Sequence, residues 1–109
     1  MAFGGFKTVW TIVMFDLPTD TQEARQQYTS FRAFILKCGY IMMQFSVYMR
    51  HHPSSENAAA HVNRIKKALP PKGEVRILLI TDHQFSKMEV FFGKRRKSPE
   101  KAPEQLQFF

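Results

Sequence analysis

The feature that most constrains this chain is the run Thr8-Val9-Trp10-Thr11-Ile12-Val13-Met14-Phe15, closed by Asp16-Leu17-Pro18. It is rich in β-branched and aromatic residues and lacks the polar alternation of a strand with one wet face. It therefore predicts a strand in the middle of a sheet, buried on both sides. Pro18 has no N–H to give a ladder, so the strand stops there.

Helix signals follow at once. Thr19-Asp20-Thr21-Gln22 and, one residue later, Asp20-Thr21-Gln22-Glu23 fit a capping box. Ala24, Tyr28, Phe31, Ile35 and Cys38 then recur on one helical face, and Gly39 is placed to end the helix. Tyr40-Ile41-Met42-Met43-Gln44-Phe45 and Val47-Tyr48-Met49-Arg50 predict two strands in a tight hairpin broken between Gln44 and Ser46. Pro53-Ser54-Ser55-Glu56 opens a second helix with the stripe Ala58, Val62, Ile65 and Leu69, and Pro70-Pro71-Lys72-Gly73 stops it. Glu74-Val75-Arg76-Ile77-Leu78-Leu79-Ile80-Thr81 is a fourth strand, and Glu89-Val90-Phe91-Phe92 a short fifth. The order is the α+β, ferredoxin-like βαββαβ pattern with a C-terminal strand added. Both helices then lie on one face of an antiparallel sheet, and the other face is open. A second copy of the chain is the simplest cover for it, and the chain's own tail is the rival. The expectation is a homodimer joined through the open face.

With 109 residues the chain fits one domain. We divide it into a folded unit, residues 1–93, and a basic, mobile tail, residues 94–109, where charge and proline replace apolar residues. No apolar run approaches the ~18 residues of a membrane span. The first residues lack a secretory pattern, so the expected location is the cytoplasm, with no membrane partner. A lone cysteine, Cys38, excludes a disulfide framework and a cysteine-based zinc site. His51, His52, His61 and His83 have no paired-ligand spacing.

Sixteen Lys+Arg against nine Asp+Glu leave a net charge of +7, a field that attracts phosphate backbones. Candidate contacts are Arg25, Arg32 and Lys37 on the first helix, Arg64 and Lys67 on the second, and Lys94, Arg95 and Arg96 in the tail. For any single residue a solvated surface is the better explanation of the charge, and the phosphate reading gains weight only collectively, since acids are sparse on these segments. Asp16 is the most informative acid. It ends a rigid strand, and the topology places Gln44 and Ser46 beside it and Asp82 and His51-His52 at the other end. A carboxylate there suits a hard cation such as Mg²⁺, or else accepts N–H bonds at the turn. Magnesium takes six oxygens, so one Asp per chain requires a two-fold axis that brings two copies together.

Four segments in order resemble the CRISPR-associated protein two family: Val13-Met14-Phe15-Asp16-Leu17-Pro18, Gln44-Phe45-Ser46-Val47-Tyr48, Leu69-Pro70-Pro71-Lys72-Gly73-Glu74-Val75-Arg76, and Ile80-Thr81-Asp82-His83-Gln84-Phe85. The match looks closest to the type II branch of that family. The resemblance implies a ferredoxin-like homodimer whose C-terminal strands reach onto the partner's sheet. It implies a role in spacer acquisition, in which the dimer binds double-stranded protospacer DNA and bridges dimers of the CRISPR integrase subunit. It also implies, as the alternative, a Mg²⁺-dependent endonuclease for RNA or DNA in which Asp16 is the catalytic metal ligand, with one ion shared near the dimer axis. A toxin-like RNA-cleaving role is a further reading from the same fold.

Overall fold

A computed structural model of the chain describes residues 8–103. The ends of the sequence, including residues 104–109 of the expected tail, lie outside the described residues. The elements run β1 (Val9–Asp16), α1 (Gln22–Lys37), β2 (Ile41–Gln44), β3 (Val47–His52), α2 (Ser55–Lys66), β4 (Glu74–Thr81), α3 (Asp82–Ser86), β5 (Val90–Phe92) and β6 (Arg95–Lys97). The main sheet is antiparallel in the order β2-β3-β1-β4, which is the ferredoxin-like arrangement.

β1 is the central strand, as its composition predicted, and its pleat divides the interior in two. Val13 and Phe15 point toward α1 and α2 and join Phe31, Ile35, Tyr48 and Ile65 in one buried cluster. Phe15 stacks on Tyr48 at 5.6 Å and meets Phe31 edge-on at 5.2 Å. The alternate residues Trp10 and Ile12 point to the opposite face, where they cluster with Met49 and Phe85. α2 starts at a predicted serine cap, where Ser54 Oγ accepts the Asn57 N–H, whereas α1 caps on Thr21, whose Oγ1 accepts the Ala24 N–H, one or two residues after the expected Asp20 or Thr19. Gly39 follows the last turn of α1 with φ +91, a conformation that costs glycine little.

Three expectations change. The face opposite α1 and α2 is not bare along its whole length. Thr81-Asp82-His83-Gln84 forms a full capping box, and the short α3 it starts lays Phe85 flat on Trp10 at 3.9 Å. Met88 and Ala102 pack beside them, leaving Trp10 and Met49 buried. The rest of the face is open, and it exposes Ile41 and Leu78, both level with Ile12 in the middle of the strands. Second, among the described residues β5 pairs only with β6, through Val90–Lys97, Phe91–Arg96 and Phe92–Arg95. The division drawn at residue 93 falls in the turn of that hairpin, and the basic segment starts with a strand. Third, Leu69 lies past the end of α2 at Lys66 and is exposed, so the apolar stripe of that helix ends at Ile65.

Candidate functional site

Asp16 is the last residue of β1 and is exposed on the open face of the sheet. Its backbone is held from two directions. On one side, the Phe15 N–H donates to the Ser46 carbonyl at 3.1 Å, which ties the β2–β3 hairpin to the strand end. Ser46 has φ +62, a left-handed conformation unusual for serine. Its hydroxyl is hydrogen-bonded to the Tyr28 hydroxyl of α1 at 3.1 Å, so the turn is anchored to the helix. On the other side, Gly73 has φ +93 and sits so close that a Cβ there would lie 2.6 Å from Leu17 Cδ2 and 2.8 Å from the Asp16 carbonyl oxygen. The carboxylate thus projects from a clamped frame while the side chain itself stays in water.

Met14, Asp16, Phe45, Ser46, Val47, Glu74 and Arg76 line one cleft around it. Ser46 lies in the cleft as expected. Gln44, paired with Val47 in the hairpin, does not line it. Two residues of the cleft were not singled out in the sequence. Glu74 is the direct cross-strand partner of Asp16, and Arg76 is that of Met14. Their side chains share the open face, and the Arg76 guanidinium pairs with Glu74 Oε2 at 3.1 Å. The signal was the alternation Glu74-Val75-Arg76, but it became informative only once register set it opposite Asp16.

The donors around Asp16 are oxygens: two carboxylates and a hydroxyl. That chemistry fits a hard cation such as Mg²⁺ and does not suit zinc or copper. Among the described residues no group of three or more His, Cys, Asp or Glu gathers in one place, so one chain provides fewer ligands than such an ion needs.

The basic candidates do not converge on this cleft. Arg25 donates to the Thr19 carbonyl at 3.1 Å, bracing the loop after β1. Arg32 Nε donates to the Tyr48 hydroxyl at 2.7 Å, joining α1 to the sheet. Lys37 and Arg64 sit in the last turns of α1 and α2, where the helix dipole favours cations, and Lys67 caps α2. Lys94 lies in the turn of the β5–β6 hairpin, Arg95 is on β6, and Arg96 approaches Glu89 at 3.9 Å.

A second polar cluster lies between the sheet and α2. Buried His52 hydrogen-bonds Thr11 Oγ1 through Nε2 and Asn57 Oδ1 through Nδ1, each at 2.8 Å. Arg50 donates to His61 Nε2 at 2.8 Å. Burial, followed by the neighbouring Arg50 and the other histidines, lowers the His52 pKa to about 4 despite the opposing Asn57 bond. Burial also lowers His61. This cluster and the Trp10–Asp82 hydrogen bond of 2.8 Å lie toward the far end of β1 from Asp16, in keeping with the predicted placement of Asp82 and His51-His52.

Comparison with known proteins decides the family. The family model described as CRISPR associated protein Cas2 matches residues 9–88. The chain belongs to the Cas2 family. It is 52% identical over 101 residues to a protein of Parvibaculum lavamentivorans named "CRISPR-associated endoribonuclease Cas2", covering 93% of this chain and 100% of that protein. A protein of the same name from Flavobacterium psychrophilum is 41% identical over 104 residues, covering 95% of this chain and 90% of the other. One from Streptococcus mutans is 40% identical over 97 residues, covering 89% and 91%. The resemblance read from four sequence segments therefore holds across the Cas2 fold, and relatives in CRISPR systems carry a nuclease name. Among the described residues no helix is long and apolar enough to cross a membrane.

Proposed function

We propose that this Cas2 protein is a CRISPR-associated endonuclease that cleaves phosphodiester bonds at the Asp16 cleft, working as a homodimer with Mg²⁺. The observation that carries this reading is the clamped strand end. Asp16 stands exposed, its backbone fixed by Ser46 and Gly73, in a cleft whose possible metal ligands are oxygens. When bound, Mg²⁺ neutralises charge on the phosphate and eases attack by water. Asp16 is the residue that would hold it, with Glu74 across the strand pair. The second half of the ligand set comes from a second chain, whose Asp16 faces the first across the open side of the sheet. Exposed Ile41 and Leu78 in the middle of the open face supply apolar surface for the union. Arg25, Arg32, Lys37, Arg64, Lys67, Lys94, Arg95 and Arg96 contribute backbone contacts. The relatives' names favour RNA as the substrate.

The spread of these cations over α1, α2 and the β5–β6 hairpin favours a second reading. In it the homodimer binds double-stranded protospacer DNA and bridges dimers of the CRISPR integrase subunit during spacer acquisition, and chemistry at Asp16 is dispensable.

Asp16→Asn separates the two readings. We expect it to abolish Mg²⁺-dependent cleavage of RNA while leaving the fold intact. Cleavage that persists removes the nuclease reading. Spacer acquisition that fails with Asp16→Asn, in a chain that still folds and pairs, removes the scaffold reading in its chemistry-free form. Light scattering that finds a monomer at micromolar concentration removes both.

A further inference from the structure

Among the described residues the Asp16 cleft contains one cation, and that cation is paired with an internal acid. Of the described residues lining the cleft only Arg76 carries positive charge. The other arginines near β1 and α1 are committed elsewhere: Arg25 to the Thr19 carbonyl, Arg32 to the Tyr48 hydroxyl and Arg50 to His61. Arg76 instead extends over an exposed strand face, with its guanidinium on Glu74 Oε2 at 3.1 Å and both side chains more than half exposed. Glu74 stands directly opposite Asp16. Two carboxylates in that relation repel each other, and the guanidinium beside them offsets the repulsion.

We propose that Arg76 is the phosphate-binding residue of the Asp16 cleft, and that Glu74 is the internal competitor that holds its guanidinium until a nucleic-acid backbone displaces it. The inference rests on the nucleic-acid reading of this cleft and names the group that receives the backbone there. A guanidinium presents paired N–H donors that match two phosphate oxygens, and it forms stronger bonds to them when both partners are charged. The exposed pair with Glu74 is weak, restraining Arg76 by a factor of only about two to five. A phosphodiester entering the cleft therefore exchanges with Glu74 at little cost. Transfer of the guanidinium also leaves the Glu74 carboxylate unpaired beside Asp16, so arrival of the backbone raises the negative charge available to a cation in the same cleft.

The test uses the full chain and a short fluorescein-labelled RNA strand, with binding read by fluorescence anisotropy in EDTA so that cleavage plays no part. Arg76→Gln should weaken binding roughly three- to tenfold and lower the slope of log affinity against log salt by about 1. Glu74→Gln should tighten binding roughly two- to fivefold, because Arg76 is then free. In the Glu74→Gln, Arg76→Gln double variant that tightening should vanish. Equal tightening by Glu74→Gln with and without Arg76 would show that Glu74 acts only as a distant charge, and would overturn the inference. So would an Arg76→Gln variant that binds like the wild type with an unchanged salt slope. If the wild-type chain fails to bind RNA at all, the nucleic-acid reading of the cleft falls, and the inference falls with it. Both side chains are exposed, so loss of folding does not confound the series, and a matched thermal melt verifies this.

Discussion

Acid should loosen this protein through one buried ring. His52 is fully buried between β3 and α2, and its pKa is held at about 4 against an ordinary 6.5. The unfolded chain therefore takes up a proton near pH 6.5 that the folded chain refuses until near pH 4. The stabilisation that depends on a neutral His52 is complete above about pH 6.5. It drains away as pH falls through the window from 6.5 to 4, and the loss levels off below that. A gap of about 2.5 pH units at ~1.4 kcal/mol per unit makes the total about 3.5 kcal/mol at most, a large share of the stability of a small domain. Urea unfolding followed by the fluorescence of Trp10 measures it, at one fixed protein concentration so that association does not contribute. Between pH 7 and pH 4.5 the wild type should lose about 2–3 kcal/mol more than His52→Gln, which keeps an amide in place of the ring and cannot titrate there. Carboxylates titrate in both proteins and cancel in the difference. Parallel pH profiles would refute the reasoning. So would an NMR titration of the wild-type His52 ring with an ordinary midpoint, even if the variant proved too unstable to unfold reversibly.

Two predictions concern the frame around the site. Gly73→Ala forces a methyl group onto Leu17 and the Asp16 carbonyl at a φ of +93, so it should cost about 2 kcal/mol or more in thermal or urea unfolding and reduce any Mg²⁺-dependent activity. Phe85→Ala removes the ring stacked on Trp10 and should cost about 3–4 kcal/mol, with a red shift of the Trp10 emission as water reaches the indole.

Much of the fold was legible because its signals are local. The uninterrupted apolar character of β1 placed it in the middle of the sheet, and the spacing of Phe31 and Ile35 named the buried side of α1. The same reading put Ser46 beside Asp16 from topology alone. What escaped was set by short or distant features. α3 is five residues long with a charged start, too short for periodicity to register, although Thr81 and Gln84 spell its cap. The expected stripe ran on to Leu69 because spacing does not show that the helix unwinds after Lys66. Glu74 and Arg76 gain meaning only from the pairing of β1 with β4, strands far apart in the chain. The His52 cluster likewise joins a strand residue, Thr11, to a helix residue, Asn57, that no local pattern connects.

The division of β1 between two interiors has a consequence for how this strand can change over time. Its odd-numbered residues serve the layer under the helices, and its even-numbered residues serve the opposite layer. Inserting or deleting a single amino acid would swap the two sets at once and would turn the terminal carboxylate from the solvent side to beneath the helices. The strand can accept substitutions but not a change of length, so the sidedness of Asp16 is preserved by parity as much as by any contact it makes.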